Sequence, residues 1–88
     1  MKFVWAAGAL QDYRWWQRTN PAVARKIVQL IGAIEDDPFR GLGKPEPLRG
    51  ELTGYWSRRI TGEHRLVYRI VGKGDDQALE IAQCRLHY

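Results

Sequence analysis

The chain has 88 residues, 44% of them hydrophobic, with four tryptophans and a formal net charge of +4. That is the length of one domain, 1–88, too apolar for a disordered tail and lacking the ~20-residue apolar run of a membrane span. The single cysteine, Cys84, excludes an internal disulfide, so packing or a partner must supply stability, and the cytoplasm is the expected location.

Lys2-Phe3-Val4-Trp5 is rich in β-formers and reads as a short strand. A basic residue ahead of Phe3–Leu10 faintly imitates a signal peptide, but a strand followed by a helix start accounts for it better. Ala6, Ala9, Leu10, Tyr13 and Trp16 then share one face of an amphipathic helix that ends near Thr19. Its start carries no Ser, Thr or Asp cap, and Gly8 weakens it. Asn20-Pro21 restarts the helix, and Val23, Ile27, Leu30, Ile31 and Ile34 form the clearest apolar stripe in the chain. So short a connection makes the two helices an antiparallel hairpin.

Residues 37–53 carry Pro38, Gly41, Gly43, Pro45, Pro47 and Gly50 and read as a long irregular connection. A loop of that length in a small domain points to function. Tyr55–Ile60, Arg65–Val71 and Ala78–Leu86 are three antiparallel strands separated by two turns. In the middle one Leu66, Tyr68 and Ile70 face the helices, and Arg65, Val67 and Arg69 face away. Gln83, Arg85 and His87 share a side of the last strand, whose register sequence does not fix. The fold class is α+β, ordered β-α-α-β-β-β, with the helix pair on one face of a small, mainly antiparallel sheet.

Ten of the fourteen cations are arginine, which favours forked contacts with phosphate or carboxylate, so a nucleic acid or an acidic protein segment is the natural partner. The segment 44–69 gathers Lys44, Arg49, Arg58, Arg59, Arg65 and Arg69 with Tyr55, Trp56 and Tyr68. Glu46 stands between two prolines that hold its backbone extended. RNA cleavage without a metal needs a base for the ribose 2′-hydroxyl, an acid for the departing 5′-oxygen and cations at phosphorus. Glu46, His87 and the arginines meet those needs, with Arg65 the favoured phosphate clamp. Exchange of acid and base, or use of a tyrosine, stays open on spacing alone. Taken singly these residues are ordinary: a glutamate in a proline-rich loop is usually solvated, and a histidine next to the terminus is usually frayed. His64 reads as a structural turn residue, and Cys84 as a buried apolar one. Two histidines and one cysteine give no metal-ligand spacing, and no glycine-rich phosphate loop is present, so no cofactor is expected.

Pro38-Phe39, Gly41, Gly43 to Leu48, Leu52, Gly54, Trp56 to Thr61 and His64 to Tyr68 together closely resemble the YoeB toxins. These belong to the RelE superfamily of bacterial type II toxin–antitoxin systems. The ending Cys84-Arg85-Leu86-His87-Tyr88 is similar to their terminal C-R-x-H-Y, and the likeness spans nearly the whole chain. The resemblance implies a ribosome-dependent endoribonuclease that cuts mRNA in the A site of the 70S ribosome. It implies Glu46 as general base, His87 as general acid, Arg65 at the phosphate and Tyr88 shaping the site. Lys44, Arg49, Arg58 and Arg59 would hold RNA. It also implies a YefM-like antitoxin, a homodimer, and contact with operator DNA only through the antitoxin complex. The alternatives are a ribosome-binding inhibitor that does not cut, or a co-repressor acting with its antitoxin.

Overall fold

The computed structural model describes residues 1–86; His87 and Tyr88 lie outside the described residues. The chain runs β1 (Lys2–Trp5), α1 (Ala7–Thr19), α2 (Pro21–Asp36), β2 (Glu46–Pro47), β3 (Trp56–Arg59), β4 (Arg65–Val71) and β5 (Ala78–Gln83). One five-stranded sheet is ordered β1-β5-β4-β3-β2, antiparallel except where β1 lies parallel to β5. The α+β class and the helix hairpin match the expectation, and the three expected strands form, but the last ends at Gln83 rather than Leu86, so Arg85 lies beyond it, and there is one addition. Part of the presumed irregular connection is β2, a two-residue edge strand that pairs Glu46 with Ser57 and Pro47 with Trp56. An outermost strand is where a proline is tolerated, since its missing N–H leaves no ladder bond unmade on an inner neighbour.

The helices meet at the single residue Asn20, whose backbone N–H closes α1 on the Trp16 carbonyl, 2.8 Å, and whose carbonyl opens α2 by accepting from Val23, 3.0 Å. Its side chain makes no cap bond, so proline at the first helical position sets the start of α2. The apolar stripes of both helices close over one face of the sheet. Trp16, Ile27, Leu30 and Ile34 pack with Ile60, Leu66, Tyr68, Leu79 and Ile81 in a single core.

The alternation in β5 is interrupted. Val67 pairs with Gln83 but Tyr68 pairs with Ile81, so Ala82 is the extra residue of a bulge. Leu79 and Ile81 point into the core on one side of it, and Cys84 does so on the other. Gln83 is thereby turned to the face opposite the helices. The Cys84 thiol donates to the Ala9 carbonyl, 3.3 Å, and the Trp16 indole Nε1 donates to the Cys84 carbonyl, 2.9 Å.

Arg58 departs from its expected place. It pairs with Leu66 and shares the helix-facing side of the sheet, where it is fully buried. Its guanidinium donates to the Leu42 carbonyl at 2.9 Å, the Asp37 carbonyl at 2.6 Å, the Arg40 carbonyl at 2.9 Å and the Tyr68 hydroxyl at 3.1 Å. Tyr68 passes the chain on by donating to the Pro38 carbonyl, 2.7 Å. The RNA-holding role expected of Arg58 is therefore corrected. Its donors are taken up by the loop of residues 37–43, which they draw down over the end of the core. Gly43 completes the closure, at φ 87° and with the position of a Cβ only 2.8 Å from a Leu30 methyl and 3.2 Å from the Arg59 carbonyl.

Replacing Arg58 by Met keeps much of the volume and leaves these acceptors without donors. Each buried acceptor left unpaired costs about 1–3 kcal/mol, so R58M is expected to lose about 3 kcal/mol of stability in urea denaturation, with faster amide exchange concentrated in residues 37–43. Unchanged stability would remove Arg58 from this role.

Candidate active site

The sheet has a second face, turned away from the helices, and the strand register determines what stands on it. Directly paired residues on neighbouring strands point to the same side. Glu46 pairs with Ser57, Ser57 with Val67 and Val67 with Gln83, which makes one row across four strands. The next row on the same face begins with the pair Arg59 and Arg65. Glu46 therefore lies diagonal to Arg59, with Cα atoms about 7–8 Å apart in such a pair. Two strand spacings and one two-residue step put it about 12 Å from Arg65 at the Cα level. The register thus places one glutamate and two arginine positions near one another on this face.

Each side chain is held by local structure. Glu46 is exposed on β2, between Pro45 and Pro47, and Pro47, Leu48 and Arg49 line a shallow depression with it. The approach to β2 is fastened by the Arg59 N–H on the Gly43 carbonyl, 2.7 Å, and its exit by the Leu48 N–H on the Tyr55 carbonyl, 2.9 Å. Arg65 directs Nη1 to the carbonyls of Thr61, Gly62 and His64 at 3.0–3.3 Å, which fixes the plane of its guanidinium against the β3–β4 turn. Its backbone N–H donates to the Leu86 carbonyl, 2.9 Å. The last described residue of the chain is thus attached to the very residue expected to clamp phosphate.

Of the residues singled out from sequence, Glu46, Arg59 and Arg65 are gathered on this face, and Arg49 flanks Glu46. Lys44 is exposed two residues ahead of Glu46, in the left-handed region at φ 52°. Arg58 belongs to the core, as described above. His87 and Tyr88 fall outside the described residues. Arg69 stands on the same face farther along β4, paired with Glu80 and lying 4.9 Å from the Tyr55 ring centroid. The Glu80 carboxylate raises the Arg69 pKa further, so this cation is committed to a salt bridge. Arg85 stacks on Trp15, 3.8 Å from the ring centroid, beside α1. Among the described residues no cluster of three His, Cys, Asp or Glu side chains is disposed to hold a metal ion, and no helix is long and apolar enough to cross a membrane.

The contribution of His64 escaped the sequence reading beyond its placement in a turn. Its Nδ1 accepts the Leu86 N–H at 2.7 Å, a contact between residues 22 positions apart. Nothing in local spacing announces such a pairing.

The comparisons with known proteins agree with this architecture. A YoeB/ParE toxin from Agrobacterium tumefaciens superposes with a TM-score of 0.96 at 56% identity, covering 100% of both chains. A YoeB dimer from Staphylococcus aureus, and a heterotetrameric YoeB–YefM toxin–antitoxin complex from the same organism, each superpose with a TM-score of 0.87 at 39% identity over 100% of this chain and 98% of theirs. The fold is therefore that of the small α+β bacterial toxins. The toxin YoeB of Escherichia coli strain K12 is 49% identical over 88 residues, with 100% of both chains covered. Residues 5–88 match the profile of the YoeB-like toxins of bacterial type II toxin–antitoxin systems, and the chain belongs to that family.

Burial pushes the Cys84 thiol up to about 12 from 9.0, the Asp12 charge adding to the effect, and burial also raises Tyr68. The unfolded chain releases the Cys84 proton near 9.0, while the folded one keeps it to about 12. Folding stability should therefore decline as pH rises across that window. A thermal-unfolding series from pH 8 upward is expected to show a shallower decline for Cys84→Ala than for the wild type. Identical slopes would contradict it.

Proposed function

We propose that this chain is a ribosome-dependent endoribonuclease that cleaves mRNA in the ribosomal A site. The observation that carries the reading is the register across β2, β3 and β4, which sets an acid on a stiffened edge strand diagonal to Arg59, with Arg65 paired to Arg59 one strand farther on. Glu46 takes the proton from a ribose 2′-hydroxyl, and the freed oxygen attacks the adjacent phosphorus. As the P–O2′ bond forms and the P–O5′ bond breaks, Arg65 and Arg59 stabilise the charge that accumulates on the phosphoryl oxygens. His87 returns a proton to the departing 5′-oxygen, and Tyr88 shapes the site around it. The products are a 2′,3′-cyclic phosphate and a free 5′-hydroxyl. These side chains supply every proton transfer and charge contact that the displacement requires, so a metal ion has no necessary role. Lys44 and Arg49, exposed beside Glu46, hold the RNA backbone.

Restriction to the ribosome suits the shape of the site. The acid and arginines stand on a sheet face rather than inside a deep cleft, so a second body must present the message in the geometry of in-line attack. In the cell the protein is restrained by a YefM-like antitoxin, as the Staphylococcus aureus complex suggests by analogy, and it forms a homodimer like the YoeB of that organism. Operator DNA is reached only through the antitoxin complex.

Glu46→Ala and His87→Ala are each expected to slow single-turnover cleavage on programmed ribosomes by about 10²–10⁴-fold, and Arg65→Ala by about 10²–10³-fold. Circular dichroism and thermal unfolding check that each variant remains folded. Wild-type rates in all three folded variants would refute the assignment. Translational arrest without new message 5′ ends would instead favour a protein that blocks the ribosome without cutting.

A further inference from the structure

The outer face of the sheet carries a hollow that the displacement above does not use. Its lining is Val4 and Ala6 at the end of β1, Tyr55 at the head of β3, and Glu80, Ile81 and Ala82 of β5, around a volume of about 240 Å³. The strand register explains the assembly. Val4 pairs with Glu80 and Glu80 with Arg69, and all three stand on the face opposite the helices. Tyr55 continues the pairing of β3 one residue ahead of Trp56, accepting the Leu48 N–H on its carbonyl. Its ring lies against the Arg69 guanidinium, 4.9 Å from the centroid. Ile81 turns its side chain into the core and so offers only backbone here, and its carbonyl already accepts the Ala6 N–H at 2.9 Å. Ala82 is the extra residue of the bulge, and its methyl leaves open a space that a longer side chain would fill.

The hollow has the properties of a nucleobase site. It is smaller than the ~300–1,000 Å³ of a pocket for a drug-sized ligand and suits a single planar ring system. An aromatic ring and aliphatic side chains wall it, and those are the surroundings in which unpaired RNA bases are bound. Glu80 is the charged residue of the lining, and Arg69 neutralises it by donating from Nε to Oε1. A carboxylate keeps acceptor capacity beyond one such bond, which an amino group on a base edge can fill. The position also fits. Ala82 adjoins Gln83, which pairs with Val67, and Val67 lies two residues from Arg65 on the same face. Gln83 and Arg65 are therefore diagonal neighbours, with Cα atoms about 7–8 Å apart. Resting on the cleavage reading above, we propose that the hollow is a base subsite: it encloses the base of a nucleotide flanking the scissile phosphate, and Glu80 accepts a hydrogen bond from that base's amino group. Cytosine carries such an amino group where uracil has a carbonyl. A uracil there would set its carbonyl against the carboxylate and leave both without a donor, so the subsite prefers cytidine to uridine.

The test compares messages that carry cytidine or uridine at each position flanking the cut, on programmed ribosomes. At one of these positions the wild type is expected to cleave the cytidine message with a kcat/KM about 10-fold above that of the uridine message. Glu80→Gln offers a donor as well as an acceptor, so E80Q should cleave the two messages at similar rates. Ala82→Leu fills the hollow and should bring the cytidine message down to the uridine rate or below. Thermal unfolding checks that both variants fold, and E80Q decides the matter if A82L does not. The proposal is overturned if the wild type cleaves cytidine and uridine messages equally at every flanking position, or if the preference survives in folded E80Q. A second readout needs no catalysis. Titrating the free protein with the 2′-O-methylated dinucleotide CpC should shift the NMR amide signals of Tyr55 and Ala82, UpU should shift them less, and A82L should respond to neither. Absent shifts, or equal shifts with CpC and UpU, overturn the proposal. Shifts produced by an antitoxin segment but by neither dinucleotide would also overturn it, marking the hollow as a protein site. If no message is cut, the cleavage reading fails while the titration still judges the subsite.

Discussion

A buried guanidinium holds in place the loop that leads to the Glu46 edge strand. Arg58 lies where a core side chain belongs, and its hydrogen-bond partners are three backbone carbonyls and a phenol rather than a carboxylate. Placing a cation there is costly unless its donors are matched, and the fork of arginine matches several diverging acceptors at once where an ammonium would not. The loop it gathers, residues 37–43, leads directly into the proline-flanked strand that carries Glu46. The placement of Glu46 is thus tied to the opposite side of the sheet, through a residue buried in the core.

The second constraint is the bulge at Ala82. An uninterrupted β5 would carry Gln83 into the core and Cys84 out of it. The extra residue inverts that order, and the buried Cys84 then anchors the tail through Ala9 and Trp16. From there the chain passes to the His64 and Arg65 contacts at Leu86. Loop and tail, far apart in sequence, converge on the paired residues Arg59 and Arg65 of β3 and β4. This division of labour explains how so small a domain accommodates a site on its exposed face. The helices and the inner face supply cohesion, while the outer face is left for charge.

Much of this was legible in the residues. The 3.6-residue stripe of Val23, Ile27, Leu30, Ile31 and Ile34 and the alternation of Leu66, Tyr68 and Ile70 fix which faces are buried, because burial follows period. The candidate acid Glu46 was marked by its flanking prolines. Arg58 was not legible as a core residue: next to Arg59 it reads as one more surface cation, and although neighbours on a strand point to opposite faces, only the β3–β4 pairing shows that Arg58 is the inward one. The bulge was equally hidden, since Ala82 fits either side of a sheet. The His64 contact with Leu86 depends on tertiary closure and has no local signature. Motif resemblance reached the family more readily than periodicity did, because K-P-E-P-L, W-S-R-R-I-T and H-R-L-V-Y combine outer-face residues such as Glu46 and Arg59 with buried ones such as Arg58, Leu66 and Tyr68 at fixed spacings.

The central claim is that the face bearing Glu46, Arg59 and Arg65 performs a transesterification at a message phosphate. Its most direct test is the chemistry of the cut ends released from ribosomes programmed with a defined message, analysed with mass spectrometry after brief incubation with the purified protein. The account predicts an upstream fragment ending in a 2′,3′-cyclic phosphate and a downstream fragment beginning with a 5′-hydroxyl. Fragments carrying a 3′-hydroxyl and a 5′-phosphate would contradict it, because water and not the ribose would then have attacked phosphorus.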